Sequence, residues 1–164
     1  MELNKIFNKY FKPSNDVINE ERNTCKTCAG SCCKSMGCHI SPNDLRSITF
    51  DSLKNLIDET NAISIDWWEG NPFDKNDHSI DMAFFLRIRN KNKNVLDPSW
   101  GGQCCLLTET GCPLLFQYRP KGARALIPNE NGDCYTKYSK EQCAKEWYQY
   151  NDILTKLYDH YYGN

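Results

Sequence analysis

Between residues 25 and 38 the chain carries five thiols in fourteen positions, Cys25-Lys-Thr-Cys28-Ala-Gly-Ser-Cys32-Cys33-Lys-Ser-Met-Gly-Cys38. Two cysteines separated by two residues can hold one metal ion, with the intervening backbone folded into a tight turn whose amide N–H groups point at sulfur. Gly30 and Gly37 offer the positive φ angles that such turns use. The rest of the chain is expected to fold as a frame that brings further sulfur to this stretch.

Whether ten cysteines mean metal or disulfides depends on the compartment. The opening residues, Met1-Glu-Leu-Asn-Lys-Ile-Phe-Asn-Lys-Tyr10, contain no apolar run of signal-peptide length, and no other stretch approaches a membrane span. The expected location is therefore the reducing cytoplasm, where thiols stay free or bind metal. The neighbouring pair Cys32-Cys33 points the same way, since vicinal cysteines form a disulfide only through strained geometry. A formal charge of −1 gives no electrostatic reason to expect nucleic acid or an anionic membrane surface, and a zinc-knuckle nucleic-acid binder is disfavoured on that ground. At 164 residues the chain is expected to form one domain spanning 1–164.

The periodicity predicts an α+β domain, small and irregular, with short helices, a β-hairpin and a long C-terminal helix around the cysteine cluster. Leu3, Ile6, Phe7 and Tyr10 recur at helical spacing and predict a first helix ending before Pro13. Ser41, Pro42 and Asp44 have the pattern of a capping box with proline in the first turn. Asp51 is a second candidate cap, so residues 42–60 read as one bent helix or two short ones. Ile63-Ser-Ile-Asp-Trp-Trp68 alternates like a strand. So does Met82-Ala-Phe-Phe-Leu-Arg-Ile-Arg89, in which Phe84, Leu86 and Ile88 face one way and Arg87 and Arg89 the other. Cys104 to Phe116 reads as a hairpin around Thr108-Glu-Thr-Gly111. Ser139 and Gln142 predict the start of a terminal helix over about 139–161, with Cys143, Trp147, Tyr150, Leu154, Leu157 and Tyr161 on its apolar stripe.

The candidate metal ligands are Cys25, Cys28, Cys32, Cys33, Cys38, Cys104, Cys112 and Cys134, in a metal-binding core of about 25–134. One tetrahedral ion or one cubane takes four sulfurs, so ten allow two sites with two thiols left over, or one site with unused thiols. Cys105 is expected to point away from Cys104 and to be a core thiol, and Cys143 to be a small buried hydrophobe. His39 adjoins the cluster, either as a nitrogen ligand or as an ordinary surface histidine. Arg119 and Arg124 flank Pro120, placed to cap carbonyls or pair with an acid; an anion site is the sharper alternative. No Ser/His/Asp arrangement, phosphate loop or dinucleotide fingerprint is present.

The ordered set Cys25-x-x-Cys28-x-x-x-Cys32-Cys33, then Cys104 with Leu106-Leu107, Gly111-Cys112, and Arg119-Pro120 followed by Arg124 and Pro128 resembles the YkgJ-like cysteine-cluster family (CxxCxxxCC). Its members are described as zinc- or iron-chelating domains. The likeness spans residues 25 to about 134. Related clusters occur in flagellin lysine methylases, which hints at iron–sulfur chemistry, although no methyltransferase cofactor motif is present. The family pattern often carries a cysteine before the second arginine of its R-P element, where this chain has Ala123, leaving Cys134 or Cys38 to supply that ligand. The resemblance implies a chelating domain holding zinc or an iron–sulfur cluster through thiolates. It would act as an accessory or interaction module with a protein partner, or alternatively as a redox enzyme or enzyme subunit using an iron–sulfur cluster.

Overall fold

The strand Met82–Ile88 (β3) is apolar on one face and mixed on the other, and both faces are covered: every residue from Ala83 to Ile88 is buried. It forms the centre of a three-stranded antiparallel sheet, between Cys38–Ile40 (β1) and Ile63–Glu69 (β2). The computed structural model describes residues 2–14, 38–89, 104–109, 111–127 and 135–163. The predicted ligands Cys25, Cys28, Cys32, Cys33 and Cys134 lie outside these described residues.

The register divides the sheet into two chemically different faces. On one, Cys38 stands in a cross-strand row with Ile88 and Ile63, followed by Ile40, Leu86 and Ile65, and then by Phe84 and Trp67. On the other, His39, Arg87 and Ser64 form a row beside Phe85 and Asp66. The predicted alternation of Phe84, Leu86 and Ile88 against Arg87 and Arg89 therefore holds. The arginine side is nonetheless interior, with Arg87 5% and Arg89 0% exposed. Arg87 meets the buried carboxylate of Asp66 at 3.0 Å, which makes that charge tolerable away from water.

Helices close over the sheet. Glu2–Tyr10 (α1) buries Phe7 and Tyr10, and Phe50–Thr60 (α2) buries Leu53, Leu56 and Ile57. Thr49 caps α2 by accepting from the Ser52 amide, while Asp51, the expected cap, sits in the first turn. Ser41 and Asp44 do form a reciprocal capping box, but the element they cap is a single 3-10 turn, Pro42–Asp44. The region 42–60 is thus two short helical pieces.

Lys121–Arg124 (α3) is pressed against β1, and a β-carbon at Gly122 would overlap the backbone of His39. Leu126–Ile127 (β4) and Tyr135–Thr136 (β5) pair as a minimal second sheet. The C-terminal helix is broken: Lys140–Trp147 (α4) and Asn151–Tyr162 (α5) are separated by a 3-10 turn at Tyr148–Tyr150. Ser139 and Gln142 make the expected capping box. Trp147 is fully buried, and its indole N–H donates to the Ile40 carbonyl at 2.6 Å. Tyr158 of α5 stacks on Phe84 of the apolar sheet face.

A buried ion pair fastens α3 to the turn that follows β1. Arg124 donates from Nη2 to Asp44 Oδ1 at 2.8 Å, from Nε to the Arg119 carbonyl at 2.9 Å and from Nη1 to Ser14 Oγ at 2.7 Å. Asp44 Oδ2 accepts the amides of Ser41 and Lys121. Of the two sequence readings of Arg124, carbonyl capping with acid pairing is the arrangement found, and Arg119 likewise donates to the Leu114 carbonyl. Replacing Arg124 by leucine would leave Asp44 buried without its cation. The expected loss is about 3–5 kcal/mol of unfolding free energy, read as a lower denaturant midpoint.

Candidate metal centre

At one end of the sheet the last row is Cys38, Ile88 and Ile63. Just beyond it the Arg89 amide donates to the Ala62 carbonyl at 2.9 Å, and the Cys105 thiol reaches the same carbonyl at 3.9 Å. This places the Cys104-Cys105 turn against the end of the sheet. There the thiols of Cys38 and Cys104 hydrogen-bond to one another, each residue 4% exposed. Two cysteines from well-separated parts of the sequence therefore share one buried position.

The local fold around Cys104 follows from its turn. The Leu107 amide donates to the Cys104 carbonyl at 3.1 Å, and the tightened backbone also turns the Leu106 and Leu107 amides towards the Cys104 sulfur. The thiol of Cys104 is consequently lowered from its ordinary value to about 7. The hydrogen bond from Cys38 is the largest cause; the two amides and the charge of Arg89 add to it, and burial works against it. Donors aimed at sulfur stabilise the thiolate over the thiol, and the thiolate is the form that binds metal.

Cys112 is half-buried and follows Gly111, whose φ of 103° is unfavourable for a residue with a side chain. Thr108 and Gly111 exchange both backbone hydrogen bonds at 3.0 Å. The expected hairpin over 104–116 is reduced to this one bridged pair, because its first arm is spent on the Cys104 turn and its second leads into the 3-10 turn Phe116–Tyr118. Among the described residues, no three Cys, His, Asp or Glu side chains are gathered as a metal-holding group. Of the predicted ligands within the described residues, Cys38 and Cys104 are brought together.

The remaining candidates separate cleanly. Cys143 is completely buried, its thiol directed at the Ile40 carbonyl at 3.5 Å and held above the ordinary thiol value by burial; it is a core residue. Cys105 points to the Ala62 carbonyl rather than into the pair. His39 lies on the opposite sheet face from Cys38, edge-on to Phe85 and bonded to the Tyr138 backbone. Burial, then the charges of Arg87 and Lys140, lower it to about 4, so it is neutral at physiological pH but turned away from the sulfur. Arg89 is the residue near the pair that sequence reasoning did not select. The sequence set it with Arg87 on the face opposite Phe84, Leu86 and Ile88, and the structure buries it completely.

No family model, no curated protein and no solved structure matches the chain. No helix among the described residues is long and apolar enough to cross a membrane.

The turn leading to Cys112 can be tested separately from packing. A β-carbon at Gly111 meets nothing nearby, whereas one at Gly122 meets the His39 backbone. Gly111→Ala should cost only its backbone strain, about 1–2 kcal/mol. Gly122→Ala should cost more, since α3 must move off β1. Paired denaturant titrations of the two variants measure the difference.

Proposed function

We propose that this protein binds metal through cysteine thiolates, as a zinc or iron–sulfur chelating module of the cytoplasm that works with a protein partner. The observation that carries the reading is the contact between the Cys38 and Cys104 thiols, with the Leu106 and Leu107 amides directed at the Cys104 sulfur. Thiols that serve only as small hydrophobes need neither a second thiol nor amide donors, as Cys143 illustrates in the same molecule.

Cys38 and Cys104 would supply two sulfurs, and the others would come from among Cys25, Cys28, Cys32, Cys33, Cys112 and Cys134. Bound zinc would be redox-silent and would cross-link the chain, whereas an iron–sulfur cluster would add electron transfer and with it the redox-subunit alternative. The residues themselves hold the sulfur in place, shield it from water and direct amide N–H groups at it. The resemblance of the ordered cysteine set to the YkgJ-like family supports the same reading.

Anaerobic purification followed by elemental analysis and an absorption spectrum tests it. At least one zinc ion or one cluster per chain is expected. Colourless zinc-loaded protein from iron-replete cells would set aside the redox alternative, and brown protein with a charge-transfer band would favour it. Cys38→Ser and Cys104→Ser should each lose most of the metal, while Cys143→Ser should keep it. Metal-free protein with an undiminished thermal transition would remove the proposal.

A further inference from the structure

We propose that the cavity where the chain leaving α1, the turn after β1 and helix α3 meet is a binding site for a small tetrahedral oxyanion of the phosphate class, held by Lys12, Asn43 and Arg124. The occupant is either the free ion or the phosphoryl group of a small phosphate ester. This inference stands apart from the metal-binding reading and uses none of the cysteines.

The cavity measures about 240 Å³. That is below the roughly 300–1,000 Å³ of pockets that enclose drug-sized ligands, so it suits a small group. Apart from Pro13, every residue lining it is polar. Lys12, Lys121 and Arg124 bring positive charge to it, and Asp44 alone brings negative charge. The Asp44 carboxylate does not turn an anion away, because both its oxygens are already engaged: Oδ1 accepts Arg124, and Oδ2 accepts the Ser41 and Lys121 amides. Lys121 is offset by Glu146 at 3.1 Å. Lys12 is left as the excess charge, exposed and, among the described residues, in no ion pair.

The donors are positioned before any ligand arrives. Arg124 is buried, and its pairing with Asp44, Ser14 and the Arg119 carbonyl takes one N–H from each of its three nitrogens. A guanidinium carries five, so each terminal nitrogen keeps a second N–H on a side chain that lines the cavity. The segment bearing Lys12 is fastened to the same wall: the Lys12 amide donates to the Asp44 carbonyl at 2.7 Å, and the Ser14 amide to the Gln117 carbonyl at 2.9 Å. Asn43 adds a carboxamide from the turn after β1. A flat carboxylate is matched by one guanidinium fork, whereas donors from three separate segments suit oxygens arranged as a tetrahedron. Groups already held in place lose little freedom on binding.

The full-length protein would be titrated with inorganic phosphate in low-salt buffer, followed by calorimetry and by backbone amide NMR. Saturable one-to-one binding is expected, weakened by sodium chloride, with the shifted amides centred on Lys12, Asn43 and Lys121. Lys12→Gln, a change at an exposed side chain, should weaken binding by up to about fivefold, the scale of one partly exposed ion pair. Lys12→Glu should weaken it further. Lys156→Gln removes the same charge from the exposed side of α5 and should bind as wild type does.

A parallel titration with phosphoserine separates the two sources. Tighter binding of the ester assigns the cavity to the phosphoryl group of a larger ligand, and tighter binding of the ion assigns it to free phosphate; either supports the proposal. Three results would overturn it: no saturable binding of either probe, shifted amides centred away from the cavity, or equal phosphate affinity in wild type and Lys12→Glu.

Discussion

The antiparallel pairing of β1 with β3 is the constraint on which the candidate site depends, because it fixes which residue stands at the end of the sheet. With Cys38 opposite Ile88, the thiol shares a face with hydrocarbon and meets Cys104. A slip of one residue would bring His39 to that face and turn the sulfur away. The slip is opposed from both sides. It would turn Ile40 out of the apolar row of Leu86 and Ile65 and onto the face of Arg87, and it would take the Ile40 carbonyl from the two groups that use it, the Trp147 indole and the Cys143 thiol. An ordinary core cysteine thus helps hold a candidate ligand in register without being one.

The same few residues are held again just beyond the strand. Ser41, next after β1, donates its hydroxyl to Glu146 at 2.6 Å, and Glu146 also receives Tyr138 and Lys121. Asp44 then accepts Arg124, which bonds back to Ser14 and Arg119. Buried polar groups of this kind cost free energy unless every partner is present, so they contribute more to uniqueness than to net stability. Here they hold in one conformation the segment that presents Cys38. A ligand whose position is set by its surroundings loses little entropy on binding, which is how a supporting layer raises affinity.

What could be read from the sequence was mostly local. The capping boxes at Ser41–Asp44 and Ser139–Gln142, the first helix, and the strands of residues 63–69 and 82–88 are decided within a few residues, and each is present. The failures were of two kinds. The long C-terminal helix is present, but its 3-10 interruption at Tyr148–Tyr150 has no glycine or proline to mark it, and the apolar stripe runs through it. The interior position of Arg87 and Arg89, and the meeting of Cys38 with Cys104, depend on which elements cover the sheet, which periodicity does not encode. The R-P element read as part of a chelating motif has a structural task in the described residues: Arg119 and Arg124 tie down backbone and Asp44, while Ala123 packs on the core from α3.

Two thiols in contact are enough for a disulfide and too few for a tetrahedral ion, so the choice between these chemistries turns on what surrounds the sulfur. A disulfide is neutral and a weak acceptor. It would gain little from the two amides aimed at Cys104 or from the permanent charge of Arg89, both of which would still have to be buried. A thiolate, and above all a thiolate complex with net negative charge, draws stabilisation from each of them. The surroundings of Cys104 are therefore those of an anion. That asymmetry favours a Cys104 thiolate over a Cys38–Cys104 cross-link in a fold whose hydrocarbon core is built from Phe7, Phe11, Ile65, Leu86 and Trp147.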